Sequence, residues 1–152
     1  MFSNLKVTYI WVTFKLPVMQ TEIRQSWFFS QSQREVWEYL TKPELIEQWL
    51  SKTDFKPVPG HKFHFADKSG KIIYCQVLEI ELFTRLSYSW QYLSAKDGER
   101  VDSTVVWTLV PKDNGTELQL QHDGFTFLED LTAHSNGWDT CLRRFEGLLK
   151  TN

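Results

Sequence analysis

The sequence predicts a single α+β domain in which a curved antiparallel sheet wraps around a long C-terminal helix. Alternating strands joined by turn residues occupy the middle of the chain, two short helical segments follow the first strand of the domain, and the C-terminus carries a long amphipathic pattern. The length of 152 residues suits one domain. A chain of this size buries roughly 70% of its unfolded surface, so the core needs neither a disulfide nor a metal.

The charge and composition exclude several classes of protein. The 17 Lys and Arg residues are balanced by 19 Asp and Glu residues, which gives a net charge of -2. Binding of nucleic acid and attachment to anionic membranes both need an excess of basic residues, so neither is expected. Aromatic residues make up 15% of the chain. This content fits either a solid core or a core with an aromatic-lined cavity, and composition leaves both open.

Residues 1–18 precede the predicted domain, which we assign to residues 19–152. The pattern from Val7 to Phe14 favours a strand, and Pro17 then interrupts it. Met19 follows and offers an alternative start. We interpret the segment as an extra edge strand, a frayed arm or a translated upstream region, and the sequence leaves these three possibilities open.

The sequence also predicts where the protein resides. No apolar run approaches the about 20 residues that span a bilayer, and the N-terminus lacks the layout of a signal peptide. Cys75 and Cys141 stand alone in the sequence and are interpreted as buried thiols in a reducing compartment. We therefore expect a cytoplasmic protein without membrane insertion.

Two short helices are predicted directly after a strand at residues 21–30. Ser32 and Glu35 have the spacing of a capping box, in which each side chain satisfies an unpaired backbone N–H. Thr41 and Glu44 repeat this spacing, with Pro43 tolerated in the first helical turn. Apolar residues follow each predicted cap at helical spacing, so both segments should pack one face on the core.

The middle of the chain reads as a run of antiparallel strands. Turn residues separate the segments, and Asp113-Asn114-Gly115 is a strong hairpin signal. Apolar and polar residues alternate within most segments, which predicts a sheet with one apolar face. The predicted strands are residues 62–66, 71–80, 84–93, 101–110 and 116–122.

The last predicted element is an amphipathic helix that covers the apolar face of the sheet. Its basic residues come late, where they suit the helix dipole. Residues 124–132 are predicted to form the loop that leads into it. The apolar stripe consists of Trp138, Cys141, Leu142, Phe145, Leu148 and Leu149.

The sequence lacks the motifs of common catalytic and metal-binding sites. Cys75 lies in an apolar strand and Cys141 on the apolar face of the helix, and neither has the basic surroundings that activate a nucleophilic thiol. His61 and His64 are three residues apart on a predicted strand, so they point to opposite faces and cannot easily share a metal ion. The sequence therefore predicts no catalytic residue, no metal and no cofactor.

An ordered set of residues across about residues 20–150 resembles one family. The set comprises Val36, Trp37, Leu40, Thr41, Pro43, Glu44, Trp49, Pro59, Gly60, Phe63, Val77, Glu79, Leu86, Tyr88, Trp90, Gly115, Thr116, Leu118, Leu120, His122, Gly124, Phe125, Gly137, Trp138 and Leu142. It is similar to the activator of heat-shock protein 90 ATPase homologue family, within the START-like superfamily. The resemblance implies a helix-grip fold with a hydrophobic cavity between the sheet and the long helix. Residues 1–18 have no counterpart in the family's pattern.

The resemblance implies three possible functions rather than one. The first is non-catalytic binding of a small hydrophobic or aromatic molecule in the cavity, since superfamily members bind lipids, hormones or polyketide-like compounds. The second is a co-chaperone-type interaction domain with the chaperone as partner, although the separate N-terminal domain of the eukaryotic co-chaperone has no counterpart in these residues. The third is an enzyme acting on a cavity-bound substrate, which the absence of an acid–base constellation disfavours.

Eight residues are candidate ligand contacts within the implied cavity. His122 is either a structural histidine bonded to loop backbone or a polar anchor for a ligand. Tyr88 is the candidate for a ligand-facing hydroxyl, because a buried phenol wants a partner. His134 is expected to be solvated. The candidate apolar walls, which also fit a solid core, are Trp49, Phe63, Tyr74, Trp90, Trp107 and Trp138.

Overall fold

A computed structural model describes residues 7–15 and 18–150 of the chain. Within these residues the strands are β1 (Val7–Lys15), β2 (Val18–Phe29), β3 (Lys52–Thr53), β4 (Lys62–Ala66), β5 (Ile72–Glu81), β6 (Arg85–Leu93), β7 (Arg100–Lys112) and β8 (Gly115–Phe125). The helices are α1 (Gln33–Thr41), α2 (Pro43–Trp49) and α3 (Leu128–Lys150).

All eight described strands form one antiparallel sheet in the order β1-β2-β8-β7-β6-β5-β4-β3. The two short helices connect β2 to β3, and α3 follows β8 across the concave face. This confirms the predicted fold, a curved sheet wrapped around a long C-terminal helix in the helix-grip arrangement. The two-residue strand β3 was not predicted, since two residues carry no periodicity.

The core lies between the sheet and α3. The buried side chains of α3 recur at helical spacing, and they meet the inward faces of the central strands. The helix packs mainly on β2 and β8 and against α2. The buried apolar residues on α3 are Leu131, Trp138, Leu142, Phe145 and Leu149.

The helix α3 begins earlier than the sequence predicted. The expected loop at residues 124–132 is instead the end of β8, a short connection and the first turn of α3. Asp130 explains the difference, because its buried carboxylate accepts hydrogen bonds from Ser94 Oγ at 2.6 Å and from the Ala95 backbone N–H at 2.9 Å. These hydrogen bonds attach the first turn of α3 to the β6–β7 connection. No N-cap pattern in the neighbouring sequence indicates them.

One of the two predicted capping boxes is present. Ser32 and Glu35 exchange both hydrogen bonds at the start of α1. The second prediction was wrong: α2 has Lys42 at its N-cap, with no side-chain hydrogen bond there. Thr41 instead ends α1, where its hydroxyl donates to the Trp37 carbonyl at 2.8 Å. The start of α2 therefore relies on Pro43, whose fixed φ suits the first helical position.

The N-terminal segment contributes an edge strand. β1 pairs with β2 from Val7 opposite Ser26 to Lys15 opposite Val18. Of the three interpretations of residues 1–18, the extra edge strand fits residues 7–15, whereas Pro17 and residues 1–6 lie outside the described residues. No helix in the described ranges is long and apolar enough to cross a membrane.

Gly115, at the start of β8, has no space for a side chain. At Gly115 an added Cβ would lie 2.1 Å from the Phe29 carbonyl oxygen and 2.9 Å from the Phe28 ring. Backbone blocks this position, so Gly115→Ala should lower the free energy of unfolding by about 2 kcal/mol or more in chemical denaturation.

The matched control for this hairpin variant is Gly147→Ala. Gly147 is exposed in α3, and an added Cβ there would meet nothing within 4 Å. Replacing a helical glycine by alanine should raise stability by about 0.5–1 kcal/mol. Equal effects of the two substitutions would contradict the packing described at Gly115.

Candidate ligand pocket beside the C-terminal helix

A pocket of about 260 Å³ opens beside α3, over the inner face of β5 and β6. The residue that follows α2 and residues from the β4–β5 turn, β5, β6 and α3 line it. The set comprises Leu50, Asp67, Lys71, Ile73, Trp90, Ala133, His134, Gly137, Trp138 and Cys141.

Two tryptophans form the floor of the pocket. Trp90 on β6 and Trp138 on α3 are 7% and 3% exposed, and their ring centroids lie 5.1 Å apart at an angle of 49°. Half-buried Leu50 and Ile73 complete the apolar wall. Exposed residues, Lys71 among them, surround the mouth, so the pocket opens to solvent while the tryptophans of its floor are buried.

Small residues on α3 leave the space that the pocket occupies. Ala133 and Gly137 are one helical turn apart, are exposed and line the pocket. A Cβ added at Gly137 would meet nothing within 4 Å. The helix packs closely on β2 and β8, whereas towards β5 and β6 its small residues leave the pocket open beside the Trp90–Trp138 contact.

A chain of hydrogen bonds holds Trp138 in place. Its indole Nε1–H donates to His122 Nδ1 at 3.0 Å, and His122 Nε2 lies 2.9 Å from Ser103 Oγ. Ser103 Oγ donates onward to the Trp90 carbonyl at 2.7 Å. Because Nδ1 accepts, the imidazole is neutral and carries its proton on Nε2, from which it donates to the serine. The chain links α3 to β8, β7 and β6 in turn.

A second pair holds Trp90 in the same way. Its indole Nε1–H donates to His134 Nε2 at 3.3 Å, while His134 Nδ1 donates to the Asp130 carbonyl at 2.9 Å. A carbonyl only accepts, so His134 is also neutral, with its proton on Nδ1. Each tryptophan of the floor therefore has its N–H satisfied by a neutral histidine.

The surroundings of both histidines favour the neutral form. Burial lowers the pKa of His122 well below its usual value, and the neighbouring His134 adds to this. Burial also lowers the pKa of His134, partly opposed by its bond to the Asp130 carbonyl and reinforced by the positive charge of Lys71. Protonation of either acceptor nitrogen would break its bond to tryptophan, so the floor depends on neutral imidazoles.

The structure corrects the interpretation of Tyr88. Its hydroxyl accepts a hydrogen bond from Trp107 Nε1 at 2.9 Å, and its ring packs against Phe55 and Phe63 within the core. Burial raises the pKa of the phenol well above its ordinary value. Tyr88 is therefore a core residue whose partner is another side chain, and it does not line the pocket.

The other candidate contacts divide between the pocket and the core. Trp90 and Trp138 line the pocket, and their contact with a ligand stays a prediction. His122 lies behind Trp138, bonded to side chains rather than to loop backbone. The remaining inward-facing candidates, all buried in the core, are Trp49, Phe63 and Trp107.

Tyr74, a candidate wall of the cavity, lies on the opposite side of the sheet, although the sequence had left open which face of residues 71–80 points inward. It is 58% exposed on the outer face of the sheet, because Ile73, Cys75 and Val77 are the residues of β5 that point inward. Tyr74 borders a separate cavity of about 320 Å³ among β4, β5 and β6. Alternation in β5 is ambiguous from sequence, since both of its faces carry apolar residues.

Sequence reasoning missed His134 and Lys71. His134 was expected to be solvated, yet it is half-buried and lines the pocket. A signal was available, because His134 precedes Trp138 by one helical turn and the two therefore share a face of α3. Lys71 carried no signal, since a lysine after a turn is usually a solvated residue.

Neither cysteine has the lowered thiol pKa of a reactive nucleophile. Cys75 is buried, and burial raises the pKa of its thiol. Cys141 lines the pocket, and burial raises its pKa as well. Among the residues that the structure describes, no three His, Cys, Asp or Glu side chains are grouped to hold a metal ion.

A sequence comparison assigns the family. The profile of the family described as "Activator of Hsp90 ATPase homolog 1-like protein" matches residues 30–150. The chain belongs to this family. No curated protein shows significant similarity to the chain.

Solved structures share the fold. A protein of Mesorhizobium loti has a TM-score of 0.81 and 32% identity, over 86% of this chain and 98% of its own. CalU16 from Micromonospora echinospora has a TM-score of 0.75 and 24% identity, over 95% of this chain and 85% of its own. DynU16, a protein of the dynemicin biosynthetic locus, has a TM-score of 0.75 and 22% identity, over 86% of this chain and 47% of its own.

The neutral histidines predict an acid-sensitive fold. Unfolded histidine titrates near pH 6.5, while the pKa values of His122 and His134 are lower in the folded state. Their contribution to stability is complete above about pH 6.5 and is lost as the pH falls below it, because the unfolded chain then binds more protons.

Denaturant titrations between pH 6.5 and pH 5 test this with His122→Asn. The variant should reduce the slope of stability against pH by up to about 1.4 kcal/mol per pH unit, the effect of one proton. The slope of stability against pH reports the difference in bound protons between the unfolded and the folded state. It is therefore independent of any overall loss of stability that the substitution causes. Equal slopes in both proteins would show that His122 is not held neutral.

Proposed function

We propose that this protein binds a small hydrophobic or aromatic molecule, without catalysis, in the pocket beside α3. The observation that supports this most is a solvent-open pocket whose floor is two tryptophans, each hydrogen-bonded to a neutral histidine. Both indole N–H groups already have partners, so the floor offers a ligand aromatic surface rather than unsatisfied donors. Apolar walls with few polar groups are typical of small-molecule sites.

The size of the pocket favours a small ligand. Its volume of about 260 Å³ lies just below the range of about 300–1,000 Å³ that is usual for drug-sized ligands. A groove of about 690 Å³ adjoins it at Leu50 and Asp67, which border both. A compact ring system in the pocket with a substituent reaching the groove fits this shape.

Binding is favoured over catalysis by the state of the polar groups. Both ring nitrogens of His122 and of His134 are engaged with protein atoms, so neither is available as a general base. The carboxylate of Asp67 at the mouth accepts hydrogen bonds from Ser69 and from the Lys71 backbone N–H. Among the described residues that line the pocket, neither His134 nor Oδ1 of Asp67 is free of hydrogen bonds to the protein.

A steric variant tests the proposed site. Gly137→Leu should place a side chain in the pocket without a clash, since the space beyond Gly137 is open. In a thermal-shift screen of aromatic compounds, apolar compounds and lipids, a ligand at about 100 times its Kd adds about 2.7 kcal/mol of stability to the wild type. The variant should lose most of this shift because the side chain occupies the ligand's place.

The matched control is Gly147→Leu on the same helix. Gly147 is exposed, away from the pocket, and equally free of neighbours within 4 Å. It changes helix propensity in the same way as Gly137→Leu but leaves the pocket open. It should therefore keep the full ligand-induced shift. A ligand whose shift survives Gly137→Leu binds elsewhere, and a flat response of the wild type to the whole panel would contradict the proposed function.

A further inference from the structure

Positive charge gathers at the mouth of the pocket although the protein as a whole is slightly acidic, with a net charge of -2. Lys71 borders the pocket itself. The adjoining groove adds Lys52, Lys68 and Arg144. All four of these side chains belong to exposed residues. The acidic residues that border the same two spaces are Asp67 and Glu47.

The four basic residues are not neutralised by close carboxylates. Within the described residues, the ion pairs lie elsewhere on the surface, and none joins these four to an acid within 4.0 Å. Asp67 attracts Lys71 without forming a close ion pair with it, and its Oδ1 accepts hydrogen bonds from the N–H groups and the hydroxyl of its own turn. An excess of positive charge therefore remains at the mouth.

Two of these charges influence residues that line the pocket. The charge of Lys71 acts on His134 and helps to lower the pKa of that imidazole. The charge of Arg144 acts on Cys141 and partly offsets the rise that burial causes in the pKa of that thiol. His134 and Cys141 are two turns apart on α3, and both line the pocket. Lys71 therefore borders the pocket itself, and Arg144 borders the adjoining groove.

We propose that the ligand is an amphipathic acid, with its apolar body on Trp90 and Trp138 and its carboxylate at the mouth near Lys71, within reach of the basic groove. This deepens the proposed function and rests on it. An aromatic acid and a fatty acid share this chemistry, and the experiment below separates them. The aromatic floor and the small volume favour the aromatic acid.

The physical basis is the attraction between a bound carboxylate and the ammonium group of Lys71. An anion beside a buried tryptophan wall is attracted to the lysine more strongly than it would be in bulk water, because the surroundings are less polarisable. The cations are exposed, so solvent and salt weaken the attraction. A contribution of about 1 kcal/mol, the upper end for exposed pairs, corresponds to a preference of about fivefold.

Matched probes test the charge of the ligand directly. Naphthoate and naphthamide share a ring system and differ in charge, as do decanoate and decanol for a flexible chain. Titration followed by tryptophan fluorescence should give a Kd for naphthoate about fivefold lower than for naphthamide in the wild type. Tighter binding by decanoate than by naphthoate would assign the site to fatty acids instead, and would contradict the aromatic choice.

A pair of lysine variants locates the carboxylate. Lys71→Met keeps most of the aliphatic stem and should abolish the preference for naphthoate while leaving naphthamide binding unchanged. Lys56→Met is the control, since Lys56 is exposed and borders neither the pocket nor the groove. It should keep the fivefold preference, which should also shrink with added salt as screening increases.

The outcomes separate this inference from the proposed function. Equal binding of the acid and the amide, both lost in Gly137→Leu, would overturn the inference and leave the proposed function standing. A preference for the acid that survives Lys71→Met would overturn the placement of the carboxylate. Binding of none of the four probes would overturn the inference, and the wider screen with Gly137→Leu would then decide the proposed function alone.

Discussion

The hydrogen bond between the Trp138 indole and the His122 imidazole ties the C-terminal helix to the sheet. It continues through Ser103 to the Trp90 carbonyl, so one chain of bonds crosses from α3 to β8, β7 and β6. Each link is buried, and a donor or acceptor left without its partner there costs about 1–3 kcal/mol. The floor of the pocket, the position of α3 and the neutral state of His122 all depend on this chain.

The same helix has two differently packed sides. Towards α2 its large side chains fill the core, with Phe145 packed against Trp49 at a centroid distance of 4.9 Å. Towards β5 and β6 it carries Ala133 and Gly137, which leave open space over the tryptophan floor. A ligand bound there fills space that the fold leaves empty, and needs no rearrangement of the buried hydrogen bonds. In the proposed complex, the cations at the mouth act on the part of the ligand that remains near solvent.

The periodicity of apolar residues predicted the strands, the amphipathic helix and the packing of that helix on the apolar face of the sheet, because these features depend on local sequence patterns. It could not predict the face of β5 on which Tyr74 lies, since apolar residues occur on both faces and only the pairing register decides. The first turn of α3 was missed because Asp130 is held by a contact distant in sequence. Bulky aromatics such as Trp107 suggested a cavity wall, whereas small residues and an exposed lysine mark the actual opening.

The most direct test of a ligand site on this floor is an NMR titration of the indole N–H signals with naphthoate. The chain has 7 tryptophans, and the account predicts that the signals of Trp90 and Trp138 move most, because a ring bound over them shifts their resonances. The signal of Trp27, whose indole donates to Gln25 in the core at 3.0 Å, should stay in place. Saturation with naphthoate that leaves Trp90 and Trp138 unmoved would contradict a ligand site beside α3.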